Sequence, residues 1–354
     1  MFELEKIVRK NILDLVPYSS ARDEYKGVDG IFLDANENAF GSPLAQNYNR
    51  YPDPLQRNVK KKIGLLRGVS EKSIFLGNGS DEAIDLLFRI FCEPNRDNVI
   101  ICPPTYGMYS VCAKINGVEI KEIKLESVDF QLDLKRIKDA IDQNTKLIFI
   151  CSPNNPTGNL INSADIFDLL KTFKGIVVVD EAYIDFAPES SLVSKLSEFE
   201  NLVILQTFSK GWGMAGLRVG MSFASEWIIS LFNKVKYPYN VNIVSQGLLI
   251  EALNSSEKML VSVKSIIDER ERVAERVKFL NLVWRVYPSA ANFLLVQMSD
   301  VLEVYEYLIS NKVIVRDRSR VDLCGNCLRI TIGTKTENDK LIQLLEEYEE
   351  VTFY

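Results

Sequence analysis

Short hydrophobic runs alternate with segments of helical hydrophobic spacing between residues 70 and 225 of this chain. Six runs predict strands, and several of these are apolar throughout, which is typical of parallel strands covered on both faces. The predicted strands are 74–76, 99–102, 147–151, 176–179, 202–205 and 219–223. Helical spacing between them is clearest at Ile84, Leu87, Phe88 and Phe91, and at Ile137, Ala140 and Ile141. This alternation predicts an α/β domain with a mostly parallel sheet.

The pattern changes near residue 240. A long helix is predicted over roughly 242–280, and an apolar segment follows at 292–296. The remainder is predicted to contain a helix around 301–309, strands near 313–315 and 328–332, and an acidic terminal helix. This succession predicts a smaller α+β domain. The predicted division is an N-terminal arm with part of the small domain (1–45), a large α/β domain (46–245) and a small C-terminal domain (246–354).

Composition narrows the classes of function. The 354 residues are 47% hydrophobic and 25% charged, which is ordinary for a soluble globular protein. A net charge of −6 argues against a nucleic-acid partner, because binding a phosphate backbone needs clustered basic residues. No apolar run approaches the ~18–20 residues that span a bilayer, the N-terminus lacks a signal-peptide pattern, and six scattered cysteines form no disulfide framework. We therefore expect a cytoplasmic protein without a membrane partner.

The sequence contains no histidine. This absence excludes a Ser-His-Asp triad and a histidine-ligated metal site. General acid–base chemistry near neutral pH must then fall to lysine, carboxylate, tyrosine or cysteine.

Polar clusters follow several predicted strands, and ligands bind at the carboxyl ends of strands in an open parallel sheet. The first cluster, 77–82, is a glycine-rich turn in which Ser80 could cap the following helix and its N–H groups could bind an anion. The carboxylates of Asp81 and Glu82 would oppose a phosphate unless only their backbone N–H groups face it. The alternative interpretation is a capped surface helix.

Two further clusters are 152–158, in which Asn154 and Asn155 are framed by prolines, and 180–183. A turn alone could account for the first, but the prolines also hold an amide in a fixed place. Asp180 follows a buried strand, where a carboxylate is costly unless it is paired, for example with a protonated pyridine nitrogen. Metal binding by Asp180 and Glu181 is the rival interpretation; it is disfavoured because adjacent strand residues point to opposite faces.

The segment 207–218 combines Ser209 and Lys210 at the end of an apolar run with Arg218 eight residues after the lysine. A partly desolvated lysine can lose its charge and attack a carbonyl as a free amine, while the serine and arginine suit a phosphate. The segment therefore indicates a pyridoxal-phosphate (PLP) site. Cys324 and Cys327 form a single CxxC, which we interpret as coincidence because nothing completes a zinc site around it.

The four segments, in this order and spacing, resemble the fold-type I PLP-dependent aminotransferases. Further segments are similar to the histidinol-phosphate aminotransferases within that family; these are 16–18, 34–38, 50–53, 102–109, 315–317 and 327–331. The resemblance extends over essentially the whole chain. It implies a large domain with a mostly parallel seven-stranded sheet and a smaller α+β domain.

The resemblance also implies a catalytic set of Lys210, Asp180, Tyr183 and Asn155. Lys210 would form a Schiff base with PLP, Asp180 would pair with the pyridine nitrogen, and the other two would bond the phenolic oxygen. Tyr51 would reach the phosphate from the other subunit, which implies a homodimer with shared active sites. The implied cofactor-binding residues are Ser80, Asp81, Glu82, Tyr106, Asn155, Asp180, Tyr183, Ser209, Lys210, Arg218 and Tyr51.

For the substrate, the resemblance implies Tyr18, Asn36, Arg316 and Arg329. Arg329 would bind the carboxylate of glutamate through its forked donors, and Tyr18 and Arg316 would meet the substrate's phosphate or the distal carboxylate of glutamate. The implied reaction is a ping-pong transfer of an amino group between histidinol phosphate and 2-oxoglutarate, giving imidazole-acetol phosphate and glutamate. The alternatives are an aromatic-amino-acid aminotransferase, a threonine-phosphate decarboxylase and a non-catalytic PLP-fold binding protein.

Overall fold

A computed structural model describes residues 4–18 and 30–353 of the chain. The parts of the predicted N-terminal arm at 1–3 and 19–29 lie outside the described residues. Within the described ranges the helices are α1 (Lys10–Leu13), α2 (Arg57–Arg67), α3 (Gly79–Phe91), α4 (Met108–Ile115), α5 (Leu134–Ala140), α6 (Ser163–Thr172), α7 (Glu226–Val235), α8 (Ile243–Asn254), α9 (Ser256–Val277), α10 (Val301–Ser310) and α11 (Lys335–Phe353). No helix in these ranges combines the length and apolar character needed to cross a membrane.

A seven-stranded sheet forms the centre of the larger part of the molecule. Its strands lie in the order β1-β7-β6-β5-β4-β2-β3, and β7 runs antiparallel to both of its neighbours while the other pairs are parallel. The strands are β1 (Ile74–Asn78), β2 (Asn98–Ile101), β3 (Glu119–Glu122), β4 (Thr145–Cys151), β5 (Ile176–Asp180), β6 (Leu202–Thr207) and β7 (Val219–Phe223). This architecture confirms the predicted α/β fold with a mostly parallel sheet.

The apolar runs of the central strands follow from burial on both faces of this sheet. Along β4, Phe149 packs in one hydrophobic cluster with α3, α4 and α7, while its neighbours Ile148 and Ile150 pack in another with α2, α5 and α6. Successive strand residues point to opposite faces, so a strand covered on both sides needs apolar residues at every position. The six strands predicted in this region are all present.

A four-stranded antiparallel sheet forms the centre of the smaller part of the molecule, in the order β10-β11-β9-β8. Its strands are β8 (Val283–Val286), β9 (Phe293–Met298), β10 (Arg316–Asp317) and β11 (Cys327–Thr331). One face packs on α9, α10 and α11 around fully buried residues such as Leu328 and Leu345. The predicted domain boundary after residue 245 lies inside α8 and stays a prediction.

Two predictions for this region are wrong in detail. The predicted helix over 242–280 is two helices, α8 and α9, because Ser255 leaves helical geometry and its N–H bonds to Ala252 O. The predicted strand at 313–315 is not a strand; Val313 N instead donates to Leu308 O and closes the end of α10. The strand that pairs with β11 begins at Arg316, directly after the predicted segment.

A close approach between backbones positions the start of α3 against the sheet. Gly79 has φ +70°, in the region that favours glycine, and its N–H donates to Arg218 O at 2.7 Å. Gly220, on the adjacent strand β7, lies so near that a Cβ atom added to it would be 2.2 Å from Ser80 N. The first turn of α3 therefore lies directly on the sheet edge.

We predict that Gly220→Ala moves this turn and destabilises the protein, because the added methyl group meets backbone atoms that have little freedom to shift. Overpacking of this kind costs roughly 1–3 kcal/mol in the free energy of unfolding, which denaturant titration would measure. The control is Gly216→Ala, where an added Cβ meets nothing within 4 Å. Equal midpoints for the two variants would contradict the prediction.

Candidate active site

An open cavity lies where polar residues follow the carboxyl ends of β4, β5 and β6. It gathers residues from every cluster that the sequence singled out, because parallel strands bring their carboxyl ends to one edge of a sheet. The predicted site residues that line it are Ser80, Asp81, Tyr106, Asn155, Asp180, Tyr183, Ser209, Lys210 and Arg218.

One end of the cavity has the properties of an anion site. The first N–H groups of α3 have no partner inside the helix, and the exposed guanidinium of Arg218 lies so close that a Cβ on Gly79 would be 2.8 Å from its Nη2. Ser209 lines the same cavity, and its N–H donates to Thr207 Oγ1 at 3.1 Å. Helix N-terminus, hydroxyl and guanidinium together suit a phosphate.

The two carboxylates at this helix start point in different directions. Glu82 faces away from the cavity and accepts hydrogen bonds from Asn78 N at 2.5 Å and from Asn240 Nδ2 at 3.0 Å. Asp81 lines the cavity, accepts from Tyr106 Oη at 3.1 Å and lies 3.5 Å from Arg218 Nη2. A phosphate bound here is expected to require that both carboxylates point away from it. Glu82 does so, and Asp81 does not.

Asp180 is a buried carboxylate at the floor of the cavity. Its Oδ2 accepts from Tyr109 Oη at 2.6 Å and its Oδ1 accepts from Ala182 N at 3.0 Å. Burial raises the pKa of Asp180 to about 6, against the opposing effects of these hydrogen bonds and of Lys210. No cation forms an ion pair with it in the part of the chain that the structure describes.

Glu181 lies on the opposite face of the sheet from Asp180. It accepts hydrogen bonds from Ser191 Oγ, Leu192 N and Gln206 Nε2, all within 2.7–2.8 Å. It lines a different cavity and is therefore unavailable to bind a metal jointly with Asp180.

Lys210 follows β6 and is half-buried in the cavity, with Nζ 5.6 Å from the centroid of the Tyr183 ring. Burial lowers the pKa of Lys210, and the charges of Arg329 and Arg218 lower it further, while Asp180 and Asp81 oppose the shift. A lowered pKa increases the fraction of the neutral, nucleophilic amine at neutral pH.

Asn155 links the cavity to the small sheet. Its Oδ1 accepts a hydrogen bond from Arg329 Nη1, which leaves its Nδ2 group to donate into the cavity. The Arg329 guanidinium lies 5.3 Å from the centroid of the Phe293 ring, and its buried Nε has no partner within the described residues. Arg329 is thus desolvated and directed at the cavity rim, although it does not itself line the cavity.

The other predicted substrate and partner-subunit residues lie outside this cavity. Tyr18 is 76% exposed and lines a separate groove, and Asn36 is exposed with φ 55°. Tyr51 is half-exposed and stacks on Tyr239 with ring centroids 4.5 Å apart. Arg316 is exposed and lies directly across from Arg329 in the small sheet. Their roles stay predictions.

Tyr109 contacts the candidate site but is absent from the site residues predicted from the sequence. It is fully buried, donates to Asp180 and stacks on Phe149 with centroids 4.8 Å apart. The available signal was its position three residues after Tyr106, one helical turn along the same segment. Spacing alone does not say which of the two tyrosines meets the carboxylate.

The cavity fits pyridoxal phosphate. Its anion site suits the phosphate, the buried Asp180 lacks the cation that a protonated ring nitrogen would supply, and Lys210 is an amine of lowered pKa. The free donor of Asn155 and the hydroxyl of Tyr183 are available for a ring oxygen.

Comparisons with known proteins agree with this interpretation. A sequence profile of the family described as aminotransferase class I and II matches residues 32–345. A histidinol-phosphate aminotransferase of Cytophaga hutchinsonii is 51% identical over 347 residues, covering 98% of this chain and 99% of that protein.

Two solved structures extend the comparison. The histidinol-phosphate aminotransferase of Clostridium acetobutylicum has a TM-score of 0.79 and 26% identity, covering 86% of this chain and 92% of that one. The enzyme of the same name from Sinorhizobium meliloti, solved with pyridoxal-5'-phosphate, has a TM-score of 0.79 at 22% identity, covering 90% of each chain, and supports the fold alone. The chain belongs to the aminotransferase class I and II family.

Proposed function

We propose that this protein transfers an amino group between histidinol phosphate and 2-oxoglutarate with pyridoxal phosphate as cofactor. The observation that carries the proposal is the convergence of Lys210, Asp180 and the anion site on one cavity, in a chain that is 51% identical to a relative named for this reaction. A family that depends on this cofactor and a cavity that fits it support the same activity.

The residues that would hold the cofactor are those that line the cavity. Ser209, Arg218 and the first turn of α3 would bind its phosphate, and Asp180 would bind its ring nitrogen. Asn155 and Tyr183 would bind the phenolic oxygen, and Tyr106 would stack on the ring. When bound, pyridoxal phosphate supplies an electron sink for charge that develops at the substrate Cα.

Lys210 is the proton carrier in this proposal. Its Nζ would take a proton from the Cα of the amino donor in the first half-reaction and give a proton to the Cα of the acceptor in the second. Proton removal requires a neutral amine in contact with the reacting carbon. The lowered pKa of Lys210 supplies that amine, and the histidine-free sequence offers no imidazole to replace it.

Asp180 and Tyr109 would keep the ring nitrogen protonated. The Tyr109 hydroxyl holds one carboxylate oxygen at 2.6 Å and the Ala182 N–H holds the other at 3.0 Å. These two donors fix the carboxylate and favour its charged form, so that it can pair with a cation at the cavity floor.

Arg329, Arg316, Tyr18 and Asn36 are proposed to bind the substrate. Arg329 already meets the cavity through Asn155, and its forked donors suit a carboxylate or a phosphate. Tyr18 and Asn36 belong to the N-terminal segment outside the cavity. One pocket must accept both amino donors in turn in a ping-pong transfer.

A homodimer with shared active sites is also proposed. Four large apolar side chains of the N-terminal segment are strongly exposed: Val16 (85%), Ile31 (92%), Leu33 (85%) and Phe40 (103%). Contact with a second copy of the chain would remove such side chains from water. Tyr51, which does not line the cavity of its own chain, would reach the phosphate of the partner's cofactor.

The first prediction from this proposal concerns substrate choice. The purified protein with pyridoxal phosphate should form glutamate from 2-oxoglutarate and histidinol phosphate, without releasing CO₂. Phenylalanine and threonine phosphate should be poor substrates in the same assay. Lys210→Ala should lose at least roughly 10³-fold in kcat, because it removes the proton carrier. CO₂ release from threonine phosphate, preferential use of phenylalanine, or unchanged turnover by Lys210→Ala would each refute the proposal.

The second prediction concerns the pH dependence of stability without cofactor. The folded-state pKa of Asp180, about 6, is above its unfolded value, so the folded protein favours the protonated carboxyl. The resulting contribution to the free energy of unfolding is complete below about pH 4 and is lost as pH rises through 6. Asp180→Asn removes this dependence. The free energy of unfolding of the variant relative to wild type should rise by roughly 2–3 kcal/mol between about pH 4 and pH 7, as measured by denaturant titration. A difference that does not change with pH would contradict the assignment.

The third prediction concerns the shared site. Lys210→Ala and Tyr51→Ala homodimers should both be nearly inactive, but a hybrid dimer has one site with both native residues. Statistical mixing makes half of the dimers hybrid, so the mixture should recover about a quarter of wild-type activity. Recovery is measured after the two variants are co-expressed and purified. A mixture no more active than its parents would show that Tyr51 does not act across the interface.

A further inference from the structure

Three arginines share one face of the small sheet. Arg316 and Arg329 are direct cross-strand partners in β10 and β11. Arg318 N donates to Cys327 O at 2.9 Å, which continues the same ladder one step beyond β10. Side chains alternate between the faces of a strand and directly opposite residues share a face, so Arg318 lies on the face of Arg316 and Arg329.

This face is directed at the candidate active site. The opposite face carries Leu328 and Ile330, both fully buried against the helices of the small sheet. Arg329 donates to Asn155, which lines the cavity. Burial raises the pKa of Tyr183, another cavity residue, and the charges of Arg329 and Arg318 act to lower it.

Ion pairs among the described residues do not neutralise the three positive charges. None of them forms an ion pair with a carboxylate in residues 4–18 and 30–353. The acid nearest to Arg318 in sequence, Asp317, points to the other face and accepts from Ser319 N at 2.7 Å. Arg318 itself donates to a backbone carbonyl, Asp317 O, at 3.2 Å.

Such an arrangement is costly without an anion. Like charges directly opposite each other destabilise a sheet, and the half-buried Arg318 is partly removed from water. Burial lowers the pKa of Arg318, and the neighbouring charges of Arg329 and Arg316 lower it further. A ligand with more than one negative charge would offset both costs.

We propose that Arg318 is a substrate-binding residue that selects for the phosphate group of the amine substrate, acting together with Arg316 and Arg329. The inference rests on the proposed function. A phosphate monoester carries about −1.5 to −2 charges and three strong acceptor oxygens, whereas one carboxylate of glutamate carries a single charge. A third forked donor therefore matches the phosphate better than the carboxylate.

The test is Arg318→Gln in the enzyme saturated with pyridoxal phosphate. The KM for histidinol phosphate should rise by roughly 10-fold or more, as expected for the loss of hydrogen bonds to a charged group, while the KM for glutamate should change by less than about 3-fold. Arg318→Lys should recover part of the loss, because it keeps the charge without the fork. Equal effects on the two substrates, or no effect on either, would overturn the inference.

A second measurement does not depend on histidinol phosphate. Inorganic phosphate should inhibit the wild-type enzyme competitively against glutamate, and Arg318→Gln should weaken that inhibition by about 10-fold. Unchanged inhibition would overturn the inference even if histidinol phosphate proves not to be a substrate. If the wild-type enzyme does not use histidinol phosphate as a substrate, but Arg318→Gln still weakens inhibition by inorganic phosphate, only the proposed function is refuted.

The matched control is Arg320→Gln, which removes an exposed arginine two residues further along the same loop. It should leave both KM values and the phosphate inhibition unchanged. Circular dichroism and cofactor absorbance that match those of wild type would show that Arg318→Gln is folded and loaded.

Discussion

The buried carboxylate of Asp180 is the interaction around which the candidate site is arranged. A carboxylate at the end of a fully buried strand is unfavourable unless donors or a cation compensate for the lost water. Tyr109 and the Ala182 N–H provide part of that compensation, and the remainder is an attraction for positive charge. The same carboxylate raises the pKa of Lys210, whereas burial and two arginines lower it. The pKa of Lys210 is therefore set by burial together with the opposing charges of Asp180 and the two arginines.

That balance explains why the cavity contains so many charges of both signs. Burial is the largest cause of the lowered pKa of Lys210, and the nearby charges of Arg329 and Arg218 lower it further. The arginines in turn need anions, which the protein provides only in part: Arg218 lies near Asp81, and Arg329 bonds to the neutral amide of Asn155. The charges that residues 4–18 and 30–353 leave without an ion pair are those that a phosphate or a carboxylate ligand would neutralise.

The sequence predicted the strands with buried apolar runs well and the strands with exposed or charged residues poorly, for one physical reason. Strands β4 to β6 are buried on both faces, so their apolar runs are unmistakable. The strands that escaped prediction, β3 and β8, are edge strands with charged or exposed residues such as Glu119 and Arg285, and β10 is an edge strand of two residues. The edge strand β1, which is buried at four of its five positions, was predicted. An edge strand that buries little leaves no apolar run in the sequence. Its position is set by its neighbour.

The same contrast holds in the site. Residues that follow parallel strands, such as Asn155, Asp180 and Lys210, could be predicted to meet because topology brings those strand ends together. The role of Tyr109 depends on how α4 packs against β4 and β5, which spacing does not encode. Tyr51 lies on an irregular segment, and its proposed partner lies in another copy of the chain.

The hydrogen bond from Arg329 to Asn155 joins the two sheets at the point where substrate and cofactor would meet. Asn155 belongs to the turn after β4, and Arg329 to the centre of β11. A substrate anion that draws the guanidinium toward itself would therefore also act on the amide proposed to hold the cofactor ring. Because the buried Arg329 Nε has no partner within the described residues, the guanidinium keeps a donor free while it orients Asn155. In the proposed function, recognition by the small sheet and orientation by the large sheet would thus depend on one side chain, so a change in substrate preference through Arg329 itself would disturb the cofactor. Specificity is more easily tuned from the outer arginines, which do not bond to the amide.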